Sequence, residues 1–148
     1  MSIELKTLTS QDIEDFSDLI DLFENVFEMK DFTKPDNKYL QGILAKPGFF
    51  ALIAKIGNKV VGGLTVYVLD QYYSKKPLAY IYDVAIATEH QRQGIGKALI
   101  KYLIDFCREK GFEEAYVQAD RVDDHAIEFY RSTKISSEGE VVQFSYLF

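Results

Sequence analysis

The sequence holds one cysteine, Cys107, which excludes an internal disulfide framework and a cysteine-based zinc cluster. No apolar run approaches the roughly 20 residues that a bilayer-crossing helix needs; stretches such as Gly48 to Ile56 stop far short. Met1-Ser2-Ile3-Glu4 lacks the basic start and following apolar stretch of a secretory signal. A cytoplasmic location, with no membrane partner, is therefore expected. Lysine and arginine number 17 against 23 acidic residues, and they form no cluster. A duplex-binding surface requires such a cluster, so nucleic acid is not an expected partner. His90 and His125 stand apart without metal-ligand spacing, so no metal is expected. No G-x-S-x-G nucleophile elbow occurs.

What is present suits one packed core. The chain has 148 residues, 47% of them apolar, with 11 Phe and 10 Tyr. That length leaves little room for two cores, so one domain over residues 1–148 is expected. The formal charge of −6 favours small cationic partners through the summed field, although the same charge also serves solubility.

Ile3 to Leu8 alternates apolar and polar residues and reads as a strand. Thr9 or Ser10 can cap a helix whose apolar face is Ile13, Phe16, Ile20, Phe23 and Phe27. Pro35-Asp36-Asn37 breaks the chain before a second short helix from Lys38 to Ala45. Phe49 to Ile56 and Lys59 to Leu69 are strands joined by a two-residue turn, Gly57-Asn58. Leu78 to Ala87 is a largely apolar strand, expected at the centre of the sheet. Gly94 to Lys110 is a helix with the stripe Ile95, Ala98, Leu99, Tyr102, Leu103, Phe106 and Cys107, ended by Gly111. A strand from Glu113 to Ala119, a helix from about Asp124 to Ser132 capped by Asp123, and a last strand from Glu140 to Leu147 complete the order βααβββαβαβ. The class is α/β, with a mixed central sheet flanked by helices.

The segment Glu89 to Lys97 joins a buried strand to the amphipathic helix. Gly94 and Gly96 permit close backbone approach. The first N–H groups of a helix lack intrahelical partners and lie at the positive end of its dipole, which makes an anion site. Arg92 and Lys97 can add charge pairing to phosphate. The glycine spacing alone also fits an ordinary turn before a helix. It is neither a Walker A loop nor the dinucleotide fingerprint, because Leu99 stands where a third glycine would be required.

Gln91-Arg92-Gln93-Gly94-Ile95-Gly96 resembles the [QR]-x-x-G-x-[GA] signature of the GNAT acetyltransferase superfamily, and Asp123-x-x-Ala126-x-x-Phe129-Tyr130 resembles its [ND]-x-x-A-x-x-[LF]-Y segment. The order of elements is similar too, and the resemblance covers nearly the whole chain. Three stretches, Tyr80 to Ala85, Glu89 to Ile95 and Tyr116 to Asp124, look like the type I aminoglycoside 3-N-acetyltransferases. Lys134 and Ile135 stand where the superfamily usually has Gly-Phe, so the loop after Tyr130 is expected to be rearranged.

The resemblance implies a GNAT fold and acetyl-CoA as cosubstrate. It implies contacts with acetyl-CoA from Gln91, Arg92, Gln93, Gly94, Ile95, Gly96, Lys97 and Asp123, and a splayed strand edge at Val84, Ala85 and Ile86, opposite Tyr116 to Ala119, that pairs with the pantetheine arm. An N–H near Val84 would polarise the acetyl carbonyl, and Tyr130 would stabilise or protonate the departing thiolate. Read on their own, Tyr130 beside Phe129 suits a core, Cys107 suits a core, and Asp123 is at least a helix cap.

Asp83 is an ionisable residue inside an apolar strand, so its carboxylate must face a cavity, a partner or solvent. Either it is structural, or it receives a substrate ammonium and serves as base, directly or through water. With Asp120 and Asp124 it can form an acidic bowl for a polycationic amine. The functional expectation is N-acetylation of such an amine, an aminoglycoside at its 3-amino group. A polyamine or peptide amine, or a non-catalytic CoA-binding module, are the alternatives. The resemblance also admits a homodimer through the last strand; the aromatic end Phe144 to Phe148 suits an interface or a core.

Overall fold

The structure is a computed structural model and describes residues 2–148. It divides into two compact units, one through Gln118 and one from Ala119 to Phe148. The first unit contains β1 (Glu4–Thr7), α1 (Ile13–Val26), α2 (Asn37–Leu44), β2 (Phe49–Ile56), β3 (Lys59–Leu69), β4 (Leu78–Ile86), a 3-10 turn at Thr88–His90, α3 (Ile95–Lys110) and β5 (Glu114–Val117). The second contains α4 (Asp124–Arg131).

The five strands form one sheet in the order β1-β2-β3-β4-β5. The first four pair antiparallel, and β5 lies parallel to β4. That parallel step needs a crossover, which α3 supplies. The sheet is covered on both faces. On one face, Phe16, Leu19, Leu22 and Phe23 of α1 are buried with Leu40 and Leu44 of α2 against Phe49, Ala51 and Ile53. On the other, the ring of Phe50 lies 5.1 Å from Phe106 of α3. A strand buried on both faces has no need to alternate, which is why β2 reads Phe-Phe-Ala-Leu-Ile-Ala.

Most elements lie within a few residues of their expected bounds. The helix start at Thr9 or Ser10 moves to Asp12, whose carboxylate turns back to accept from Thr9 N–H at 2.7 Å. The turn joins Ile56 to Lys59 as expected, but only Gly57 takes positive φ, 61°. The central place belongs to β3. β4 is the penultimate strand, with Ala79, Ile81 and Ala85 buried and Tyr82 exposed.

The last expected strand is absent. Residues 140–148 carry no secondary structure, and Val141, Val142, Phe144, Tyr146, Leu147 and Phe148 are all exposed. Alternation supplied a strand-like sequence, but a strand also needs an edge to pair with, and no pairing of this segment exists among the described residues. No helix among the described residues is long and apolar enough to cross a membrane.

Gly63 fixes how closely α1 approaches the sheet. A Cβ there would lie 2.6 Å from Leu19 Cδ1 and 2.7 Å from the carbonyl oxygen of Leu52, and the backbone atom cannot swing away. Gly63→Ala is expected to cost about 2 kcal/mol, read as a lower midpoint in urea unfolding with an unchanged slope. An unchanged midpoint would mean that α1 packs more loosely than described.

Candidate active site

β4 and β5 pair only from Leu78↔Glu114 to Ile81↔Val117. Beyond that point no β4–β5 pairing continues among the described residues, so the β4 edge from Tyr82 to Ile86 has no strand beside it on that side. The splay expected at Val84, Ala85 and Ile86 is present. It opens beyond Val117, because Tyr116 and Val117 are still paired.

The register between β3 and β4 slips at the same place. Thr65 pairs with Asp83 and Val66 with Ile81, which leaves Tyr82 as the extra residue of a β-bulge. The Asp83 N–H donates to Oγ1 of the buried Thr65 at 3.3 Å. Strict alternation would send Asp83 to the side of Ile81, away from Tyr82. The bulge instead places Tyr82 and Asp83 on one face. The Tyr82 ring lies 5.5 Å from that of Tyr67, and Asp83 is close enough to Tyr67 to raise the pKa of its phenol.

Asp83 is half-buried, and burial holds its carboxyl above the usual aspartate range. No salt bridge reaches it among the described residues. Tyr67, on which Asp83 acts, belongs to a row of rings that the sequence does not announce. Phe16 of α1 meets Phe49 at 5.7 Å, Phe49 meets Tyr67 at 5.3 Å, Tyr82 meets Tyr80 at 5.9 Å, and Tyr80 stacks on Tyr116 at 4.8 Å. Tyr80 is fixed further by donating to Gln118 Oε1 at 2.9 Å. Burial lifts the Tyr67 phenol, with smaller contributions from Tyr82, Asp83 and Tyr39. The only signal in the sequence is the spacing of Tyr80 and Tyr82 on one strand.

The loop from β4 to α3 is tied at its start. Gln91 Nε2 donates to the Ile86 carbonyl at 3.0 Å, and Gln93 Nε2 to that of Glu89 at 3.4 Å. Both glutamines thus have structural work in the loop. Arg92 is held at φ 62°, an uncommon conformation for a residue with a side chain. Gly94 takes φ 85° as the N-cap of α3, and no side chain caps that end. The first helical bond runs from Ala98 N–H to the Gly94 carbonyl at 3.0 Å, so the amides of Ile95, Gly96 and Lys97 precede it. Open space surrounds a Cβ built on Gly94. Arg92 and Lys97 are exposed, and neither pairs with a carboxylate among the described residues. Unpaired donors, open space and two unpaired cations fit a polyanion.

In the second unit, Asp123 Oδ1 accepts from Ala126 N–H at 3.0 Å, and the Asp123 N–H donates to the Asp120 carbonyl at 2.9 Å. Asp120, Asp123 and Asp124 are exposed, and Tyr130 is half-buried with its ring edge-on to Phe129 at 5.0 Å. Lys134 and Ile135 are exposed. No trio of His, Cys, Asp and Glu placed to hold a metal occurs among the described residues. Cys107 is buried, which pushes its thiol up to about 11.

Residues 16–133 match the model of the Acetyltransferase (GNAT) family. The chain belongs to that family. Acetyl transfer is the chemistry for which the family is named, and the open five-stranded sheet with α1, α2 and α3 packed on it belongs to the family's α/β fold.

An aminoglycoside acetyltransferase from an uncultured soil metagenomic sample, solved in complex with sisomicin, is 54% identical, with a TM-score of 0.97 over 99% of this chain and 96% of that one. Its complex with trehalose gives 55% identity over the same shares of both chains, again with a TM-score of 0.97. A second aminoglycoside acetyltransferase of soil metagenomic origin is 29% identical, with a TM-score of 0.92 over 100% of this chain and 99% of that one. Human N-acetyltransferase 8 is 26% identical over 113 residues, 76% of this chain and 47% of its own. The chain spans about half the length of the curated relatives it matches.

The raised carboxyl of Asp83 makes a stability test. Its folded pKa lies above the unfolded value near 3.8, so its contribution is fully favourable below that value and is lost as pH rises through the folded pKa. At neutral pH the ionised, unpaired group costs stability. Asp83→Asn is therefore expected to melt at or above the parent near pH 7, with the gap closing in acid. A variant that melts lower at pH 7 would reveal a structural partner for the carboxylate.

Proposed function

We propose that the protein transfers the acetyl group of acetyl-CoA to a primary amine of an aminoglycoside, at the 3-amino position. The observation that carries this is near-complete superposition on one aminoglycoside acetyltransferase, 54–55% identical in its two complexes, joined to an unpaired carboxylate at the point where β4 parts from β5. Residues 1–148 act as one catalytic domain, supported by a family match that runs from 16 to 133 across the boundary between the two units.

Acetyl-CoA supplies an activated acyl group with a thiolate leaving group. The amides of Ile95, Gly96 and Lys97, with Arg92 and Lys97, hold its pyrophosphate; Gln91, Gln93 and Gly94 shape that cradle. The free edge of Val84, Ala85 and Ile86 hydrogen-bonds the pantetheine arm, leaving aside the Ile86 carbonyl, which Gln91 already occupies. Val84 N–H donates to the acetyl oxygen and draws charge from the carbonyl carbon. Asp83 takes the proton that the substrate ammonium must lose, directly or through water. Tyr130 donates its hydroxyl proton to the departing sulfur. Asp123 orders the turn into α4, while Asp120 and Asp124 add negative charge for a polycation. The exposed run from Val141 to Phe148 supports a homodimer, which light scattering on the full chain would detect.

Thiol release measured with DTNB tests the acceptor class. The buried Cys107 contributes little background. Release with sisomicin, and none with spermidine or a peptide amine, is expected; the reverse pattern would reassign the acceptor, and no release with any amine would leave a CoA-binding module. The NMR spectrum of acetylated sisomicin reports the position.

Two substitutions test the roles. Tyr130→Phe is expected to lower kcat by roughly 100-fold with CoA affinity kept; unchanged turnover would remove the hydroxyl from the mechanism. Gly94→Ala meets open space, so its cost is the left-handed backbone, about 1 kcal/mol. It is expected to weaken CoA binding by calorimetry, and unaltered affinity would place the pyrophosphate elsewhere.

A further inference from the structure

We infer that Tyr82 and Tyr67 form a stacking platform for a sugar ring, and that this platform, more than the acidic charge, makes the acceptor site selective for an amino sugar over other polycations. The inference rests on the acetyl-transfer reading above and names residues that reading does not use.

Tyr82 is 58% exposed and Tyr67 42% exposed, yet neither ring is loose. Tyr82 stands nearly perpendicular to Tyr67 and to Tyr80, at 86° and 85°. Each edge contact adds about 0.5–1.5 kcal/mol beyond burial. The row continues inward through Phe49 to the buried Phe16 of α1, so the exposed rings are anchored in the core. Large apolar rings held rigid at a surface beside a bulge that interrupts the β3–β4 register have no evident structural purpose in the sheet.

A pyranose carries an apolar face of C–H bonds and a rim of hydroxyls. A tyrosine offers a complementary π-face and a phenol at its edge. Asp83, adjacent to both rings, adds the anion that an ammonium on that sugar requires. Tyr39 of α2, 61% exposed, lies close enough to Tyr67 to affect its phenol and brings a third ring to the same face. A linear polyamine would satisfy Asp83 but presents no flat C–H face. A peptide aromatic would stack, but its ring carries no ammonium of its own, so the cation would have to come from another group of the peptide.

Calorimetry on the full chain with three probes separates the two contributions: sisomicin, an amino sugar; trehalose, a neutral disaccharide; and spermidine, a polyamine without rings. Saturation-transfer NMR adds which sugar protons touch aromatic rings. Sisomicin is expected to bind tightly and trehalose weakly, both with ring C–H protons saturated. Tyr82→Ala should weaken both by about tenfold and leave spermidine unchanged. Tyr82→Phe, which keeps the ring, should bind like the parent. Asp83→Asn should weaken sisomicin and spermidine and spare trehalose. Circular dichroism checks that each variant folds. Sugar binding unaffected by Tyr82→Ala, or trehalose failing to bind while sisomicin and spermidine bind alike, would overturn the platform. Tyrosine-dependent sugar binding without acetylation of sisomicin would instead overturn the proposed reaction and leave the platform standing.

Discussion

The slip of one residue between β3 and β4 shapes the site more than any other contact. Tyr82 has no partner across from it, so two consecutive side chains turn to the same face, and the Asp83 N–H donates to a threonine hydroxyl. The parallel pairing with β5 stops at the same level. A backbone edge that ends its pairing inside a sheet still has donors and acceptors to satisfy. An extended ligand can enter such a slot as a strand would, and the half-buried carboxyl of Asp83, raised by burial, stands at its mouth.

The local costs at this site share a short stretch of chain. Asp83 is half-buried without a counter-charge, Arg92 sits at positive φ, and the start of α3 has no side-chain cap. Each would be poor design in a purely structural element. They are affordable because the rest of the first unit is well packed, with Leu52, Leu64, Leu99 and Leu103 fully buried on a sheet covered from both sides. The two signs of charge are also kept apart along the chain: the unpaired carboxylate precedes the end of β4, and the unpaired cations follow it. That ordering matches a reaction in which a cation and a polyanion must arrive together without neutralising the groups that receive them.

The parts of the site that were legible in the sequence are those set by local geometry. Gly94 and the stripe from Ile95 to Cys107 announce a helix start, because glycine tolerance and a 3.6-residue period act over a few residues. Asp123 reads as a cap for the same reason. The bulge was not legible, because register depends on how β3 meets β4, and alternation within β4 alone predicts the wrong face for Asp83. The row of rings was missed for the same cause: Phe16, Phe49, Tyr67, Tyr82 and Tyr116 come from five different elements. The expected strand from Glu140 to Leu147 shows the opposite failure, in which pattern was read as structure although no edge receives it.

Charge and shape divide the task of recognising an acceptor. A net charge of −6 attracts any small cation, and that attraction is long-ranged, screened by salt and poorly selective. Rings anchored to a buried core act only at contact. Their ordering cost is met when the protein folds, so little entropy remains to be lost when a sugar arrives. Selectivity among polycations therefore falls to the surface that is rigid before binding. In the platform proposed above that surface is built from Tyr67 and Tyr82, and the one-residue slip is what sets Tyr82 and Asp83 on one face.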